Sequence, residues 1–237
     1  MGNKREFGEG LLSTFTNFVY WLMVLNVYFI LTNIVFLFFF LALEPSFSNI
    51  ILYFLALIPT GPSISALYYS TAKLVKEKEI SPTKDFFHGY KINVIDSLKL
   101  WLPALTVLFI IVVDLQYFYA KATTFNQVLA GIFFVALVFI LILLLYVFPI
   151  NAQFKFRIRD IYRLSVYYVF KTMRVTTGNI AILFLTAFIM FVTSDFIILF
   201  LASLVCYILT LNNQAAMEDV KLNFVKEDKQ NHSINNL

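Results

Sequence analysis

The sequence predicts an all-α membrane protein: a bundle of about six transmembrane helices with two basic amphipathic cytoplasmic arms. Three observations carry that prediction. Apolar residues make up 60% of the chain and charged residues 14%, whereas a soluble domain holds about 45 to 50% and about 25%; mean hydropathy is +0.81. The apolar residues come in runs near the roughly 20 residues a helix needs to cross about 30 Å of hydrocarbon. Those runs are apolar on every side, without the alternation of a barrel strand, so helices must satisfy the backbone in lipid.

The expected spans are 18–43, 49–70, 98–119, 128–150, 179–193 and 196–211, with a polar tail over 212–237. No charge falls between Gly10 and Leu43, far beyond a signal-peptide core, so the first run reads as a retained span. Within it Asn26 and Asn33 stand seven apart, hence on one face, where they serve helix packing or contact a solute. The second run carries Pro59-Thr60-Gly61-Pro62 and then Ser63. Two prolines remove two backbone donors, so this helix must kink or break. The break is either a bend that steers the chain or a discontinuous helix exposing backbone groups to a substrate.

In the third run Asp114 lies in the outer leaflet as an intramembrane carboxylate, or else the helix ends at Val113. The final block from Asn179 to Leu211 is interrupted by Thr193-Ser194-Asp195, a turn that divides it into two short spans; one long tilted helix is the alternative.

Lysine and arginine favour cytoplasmic connectors. With six spans, every basic residue except Lys121 falls on one side, so both termini are expected in the cytoplasm and the protein in the plasma membrane. The stretch from Pro59 to Lys91 leaves a span and enters basic solvent. There Phe86, Phe87, Tyr90 and Val94 recur at helical spacing opposite lysines, with Lys91 beside them, as in an interfacial helix on anionic lipid. Pro149 and then Tyr167-Tyr168-Val169-Phe170-Lys171 echo Pro62 and Phe87-His88-Gly89-Tyr90-Lys91, the nearest thing to an internal repeat. Phe86, Phe87, Tyr90, Lys91, Phe170 and Lys171 are therefore candidate contacts to lipid or to a partner. Trp21 and Trp101 near inner ends and Tyr117 and Tyr119 near an outer end suit an aromatic belt.

Chemistry is scarce. One cysteine, Cys206, and two scattered histidines give no ligand set for zinc, and no cofactor is expected. Carboxylate pairs, nucleophiles beside a base and phosphate-binding loops are missing, so an enzyme is not expected. The cations of the arms interleave with Glu77, Glu79, Asp85 and Asp160, which favours lipid contact over nucleic acid.

The first hundred residues resemble the YesL family of bacterial integral membrane proteins, whose molecular function is unassigned. The likeness rests on an aromatic first span with Trp21 and Asn26, on Pro62 followed by Ala66-Leu67, and on Phe86-Phe87-x-x-Tyr90-Lys91 with the span after it. The second half matches in pattern, with Phe148-Pro149, a basic arm and two spans. Leu74 and Phe87 stand where family members often carry Trp. Such proteins look like neighbours of sugar-uptake systems, so the resemblance implies an accessory role in oligosaccharide uptake or use. Its expected partners are the bilayer and a sugar transporter of the ATP-driven class or a second copy of the chain. The alternative is a permease subunit of an ATP-driven sugar importer: Gly89 and Leu100-Trp101-Leu102-Pro103 are similar to part of the loop that docks the ATPase, but Thr83, Lys84 and Asp85 replace its Glu-Ala-Ala.

Overall fold

In a computed structural model the described residues are 11–44, 46–120, 123–192 and 197–225, and every regular element among them is helical. Helix α1 (Leu11–Thr32) breaks at Asn33 and continues as α2 (Ile34–Ala42). A 3-10 turn (Phe47–Asn49) leads into α3 (Ile50–Ala56), and α4 (Thr60–Glu77) follows. The division between α3 and α4 comes from the prolines. Pro59 is the N-cap of α4 and Pro62 lies in its first turn, where a missing N–H has no helical acceptor to lose.

Helix α4 ends at Lys78, the one described non-glycine residue with positive φ (64°), whose N–H bonds the Leu74 carbonyl at 2.9 Å. Pro82 then opens α5 (Pro82–Tyr119), and Asp85 fixes the turn. Its Oδ2 accepts the N–H of the N-cap residue Ser81 at 2.9 Å, and its Oδ1 accepts Lys73 Nζ at 2.7 Å.

Helices α6 (Thr124–Gln153), α7 (Ile158–Lys171), α8 (Met173–Val192) and α9 (Ile197–Val220) complete the bundle, with a π-helical turn over Lys221–Val225.

Four helical stretches are long and apolar enough to cross a bilayer: Ser13–Thr32, Pro82–Tyr119, Thr124–Gln153 and Met173–Val192. Phe47–Ala56 and Thr60–Glu77, bent by 47°, count as a fifth if taken as one broken span. Helix α9 lies outside this set; its second half carries Asn212, Asn213, Gln214, Glu218 and Asp219. The expected turn at Thr193-Ser194-Asp195 falls outside the described residues. The helices flanking it are longer than expected: α8 starts inside the basic connector, and α9 runs past Leu211 into the stretch read as tail.

The first arm also differs from the expectation. It is the beginning of α5, which runs 38 residues without interruption, about 57 Å at 1.5 Å per residue. Gly89 alone does not break a helix, and Pro103 does not interrupt this one. The second arm does break from its span, at Thr172 (φ −109°, ψ 56°). The echo between the two connectors thus does not extend to their helix boundaries.

Packing concentrates at the helix ends next to the connectors. Buried residues fill α4 from Gly61 to Val75, the first part of α5, and α6 from Leu144 to Ala152, while α2 has none. The interior is rich in small polar residues, among them Ser65, Ser70, Thr71, Ser97, Thr176, Ser203 and Thr210, whereas Phe184 and Phe191 are 74% and 89% exposed. This inversion is expected when the surroundings are as apolar as leucine: association then depends on close packing and interhelical hydrogen bonds.

Candidate functional site

The break between α3 and α4 is closed by side chains from two other helices. The indole Nε1 of Trp101 in α5 donates to the Leu57 carbonyl at 2.8 Å, which also accepts the Thr60 N–H at 3.1 Å across the bend. Thr60 Oγ1 donates to Asn33 Oδ1 at 2.7 Å, and Ser63 Oγ donates to Thr32 Oγ1 at 2.8 Å. The interruption in the first span at Asn33 is therefore bonded directly to the interruption in the second. Asn33 is further fixed by its Nδ2 donating to the Phe29 carbonyl at 2.8 Å. Gly61 lets Trp101 lie against the backbone, since a Cβ there would stand 2.5 Å from Trp101 Cβ. Gly61, Pro62 and Ser63 are buried and Pro59 half-buried.

About one turn from Gly61, a polar seam joins three helices. Ser97 Oγ of α5 donates to Ser65 Oγ of α4 at 2.7 Å, and Asn151 Nδ2 of α6 donates to Ser97 Oγ at 3.0 Å and Ser65 Oγ at 3.3 Å. All three side chains are buried. One turn away, Lys155 Nζ donates to Asn93 Oδ1 and to the Ile92 carbonyl, both at 3.0 Å. Asn93 is 1% exposed, and its Nδ2 has no partner within the protein. Close approach of α4 and α5 depends on Gly89 as well, where a Cβ would meet the Tyr69 side chain at 2.8 Å. Among the described residues no histidine or carboxylate is hydrogen-bonded to either serine to serve as a base. The seam holds helices together.

The remaining predicted residues separate. Asn26 is buried but faces α9, where its Oδ1 accepts the Ser203 N–H at 2.9 Å; it does not join Asn33. Asp114 is half-buried inside α5, which continues past Val113 to Tyr119. A cavity of about 370 Å³ opens nearby, lined by Phe40, Tyr53, Val112 and Gln116 among others, and Asp114 is not part of its wall.

Phe86 is not a surface residue. It is 0% exposed and meets Tyr28, with ring centroids 5.7 Å apart, because the buried face of α5 carries Phe86, Gly89 and Asn93 at helical spacing. Phe87 is 48% exposed, Tyr90 half-buried and Lys91 exposed. Phe170 is exposed on α7. Lys171 pairs with Asp219 of α9 at 2.6 Å, and Tyr168 donates to the same carboxylate. The ammonium and then the phenol hold the Asp219 carboxyl below its usual range. Burial, followed by the adjacent carboxylate, pushes the Tyr168 phenol up.

Trp101, assigned by its position to an aromatic belt, instead seats in the bundle at 7% exposure. Sequence reading also missed the seam, although Asn93, Ser97 and Trp101 recur every four residues on one face of α5, a visible signal. Asn151 carries no comparable local pattern. Among the described residues no group of three or more His, Cys, Asp or Glu could hold a metal ion.

Comparison with known proteins adds one finding. No curated protein and no solved structure matches the chain. Residues 17–115, from α1 into the last turns of α5, match a family described as "Protein of unknown function, DUF624".

Proposed function

We propose that the chain is a six-span plasma-membrane protein of the YesL type, with α9 as the sixth span and both termini in the cytoplasm. It acts as a non-enzymatic accessory to oligosaccharide uptake, packing against a transporter through the exposed side of its first arm at Phe87 and Lys91. YesL-type proteins are members of the family that residues 17–115 match, which supports that assignment.

The observation that carries the accessory role is the closed break. Thr32, Asn33 and Trp101 take up the polar groups that a discontinuous helix would otherwise offer to a solute. A chain whose two interrupted spans are sealed against each other by its own side chains is better suited to supporting a conduit than to forming one. The importer-permease reading needs Gly89 in an exposed coupling loop. Gly89 is buried inside α5 against Tyr69, which weighs against it.

A deletion strain grown on a panel of oligosaccharides tests the role: slowed growth on at least one is expected, and unchanged growth on all would overturn it. Purification in mild detergent separates the rivals. An intact transporter recovered alongside supports the accessory role, and a stoichiometric ATPase bound to this chain alone supports the permease.

A further inference from the structure

Helix α7 and its flanks carry charge that no other described residue pairs. Arg157, Arg159, Arg163 and Arg174 are all exposed. The four ion pairs among the described residues all use lysine, and the connector's lysines, Lys155 and Lys171, are already matched by Asp96 and Asp219. Only Asp160 opposes the four guanidinium groups within the helix and its flanks.

The arrangement along the helix is ordered. The buried face is Ile161, Leu164, Ser165, Tyr168 and Val169. Opposite it, Arg159, Arg163, Val166 and Phe170 follow one another at steps of four, three and four residues, a single stripe on the outward side. The stripe is cationic in its first half and apolar in its second, where Val166 is 39% and Phe170 62% exposed. The apolar half is continuous with a membrane-crossing helix: the Phe170 ring lies 6.4 Å from that of Phe139, and Phe139 is 39% exposed on the long apolar α6. The stripe thus begins in guanidinium groups and ends on lipid-facing surface.

We propose that this outward stripe of α7 is a binding site for an anionic phospholipid. The phosphate lies at Arg159 and Arg163, and the acyl chain runs along Val166 and Phe170 onto Phe139. Paired guanidinium groups match phosphate oxygens in geometry as well as charge. A soluble anion would account for the two arginines but not for the apolar half that continues from them. A neutral lipid would account for the apolar half but not for the unpaired arginines. The inference needs only that the chain is embedded in a membrane, and it stands or falls separately from the oligosaccharide reading.

Native mass spectrometry of the full chain released from detergent micelles provides the test, with phosphatidylglycerol, phosphatidylcholine and inorganic phosphate titrated in separate arms. The wild type should retain phosphatidylglycerol in preference to phosphatidylcholine. Each basic side chain near an anionic lipid strengthens binding about fivefold, so Arg159→Gln with Arg163→Gln should weaken phosphatidylglycerol about 25-fold and leave phosphatidylcholine unchanged. Phe170→Ser should weaken phosphatidylglycerol while leaving the arginines in place. Continued protection of the buried Cys206 thiol shows that each variant is folded. Equal retention of the two lipids, full retention by the double arginine variant, or phosphate binding that competes away the lipid without any effect of Phe170→Ser would each overturn the assignment.

Discussion

Trp101 caps Leu57. Its indole N–H reaches across 44 positions of sequence to a carbonyl at the break of the second span, where it joins the Thr60 N–H as a second donor, with Gly61 clearing room for the ring. The carbonyl keeps the Thr60 N–H when the indole is removed, so what is lost is one net hydrogen bond, about 0.5 to 1.5 kcal/mol. Trp101→Phe, which keeps most of the ring volume, is therefore expected to lower stability by that amount. Gly61→Ala, which drives a methyl into Trp101, should lower it further. Thermal unfolding in detergent followed by labelling of Cys206 measures both, and wild-type stability in Trp101→Phe would remove the cap from the account.

The two interrupted spans should behave as one energetic unit. A double-mutant cycle with Asn33→Leu and Thr60→Val is expected to show coupling of about 0.6 to 1.7 kcal/mol, the range found for hydrogen bonds between membrane helices. Cysteines introduced singly over 58–66 should resist a water-soluble thiol reagent, because the break is filled by protein. A labelled run along that segment would instead reveal water at the break.

Acid should loosen the join between α7 and α9. Asp219 has a folded-state pKa below its ordinary value of 3.8, lowered by Lys171 and then Tyr168. A lowered carboxylate contributes stability above the unfolded-state pKa and loses it as pH falls through the folded-state value. The contribution is thus complete at neutral pH and disappears on the acid side of 3.8. Tyr168 and Lys171 are shifted upward, so their share is lost only in strong alkali. Unfolding midpoints between pH 7 and pH 3 should fall more steeply for the wild type than for Asp219→Asn, which should begin lower and stay flatter; parallel curves would exclude the clasp. The pair is about one-third exposed, so salt should weaken the effect.

Lys78 holds a left-handed backbone conformation with φ 64°, which costs a residue with a Cβ about 1 kcal/mol relative to glycine. Lys78→Gly is expected to raise stability by up to about that amount. An unchanged or lowered unfolding midpoint would mean that the lysine side chain makes a compensating contact.

Native Cys206 is buried against Thr71, with Oγ1 to Sγ at 3.6 Å. Its labelling should therefore wait for unfolding and follow a single transition. Early labelling below the main transition would show α9 separating from α4 before the rest opens.

The class of the molecule was legible because lipid imposes its requirement locally, through run length and the absence of charge. The interruption at Pro59 and Pro62 was legible for the same reason, since proline acts on its own turn. The closing of that interruption was not, because Trp101 acts on a residue far away in sequence and the usual rule for tryptophan in membranes assigns it to an interface. Periodicity showed that Phe86, Phe87 and Tyr90 share a helix, but it could not say that Tyr28 covers Phe86 and leaves Phe87 open. The continuity of α5 was hidden by its charges: lysines suggested an interfacial helix along the membrane surface, yet nothing in the backbone between Pro82 and Pro103 requires it to part from the span. Ser65, Ser97 and Asn151 come from three separate helices, so only their assembly creates the seam.

Because side-chain packing gathers where α4, α5 and α6 meet the connectors and thins toward the opposite ends, the molecule is stiff on one flank and compliant on the other. A thinner or thicker bilayer would be accommodated by a change of tilt in the sparsely packed lengths of α5, α6 and α8. The serine-asparagine junction would hold its geometry while those ends yield.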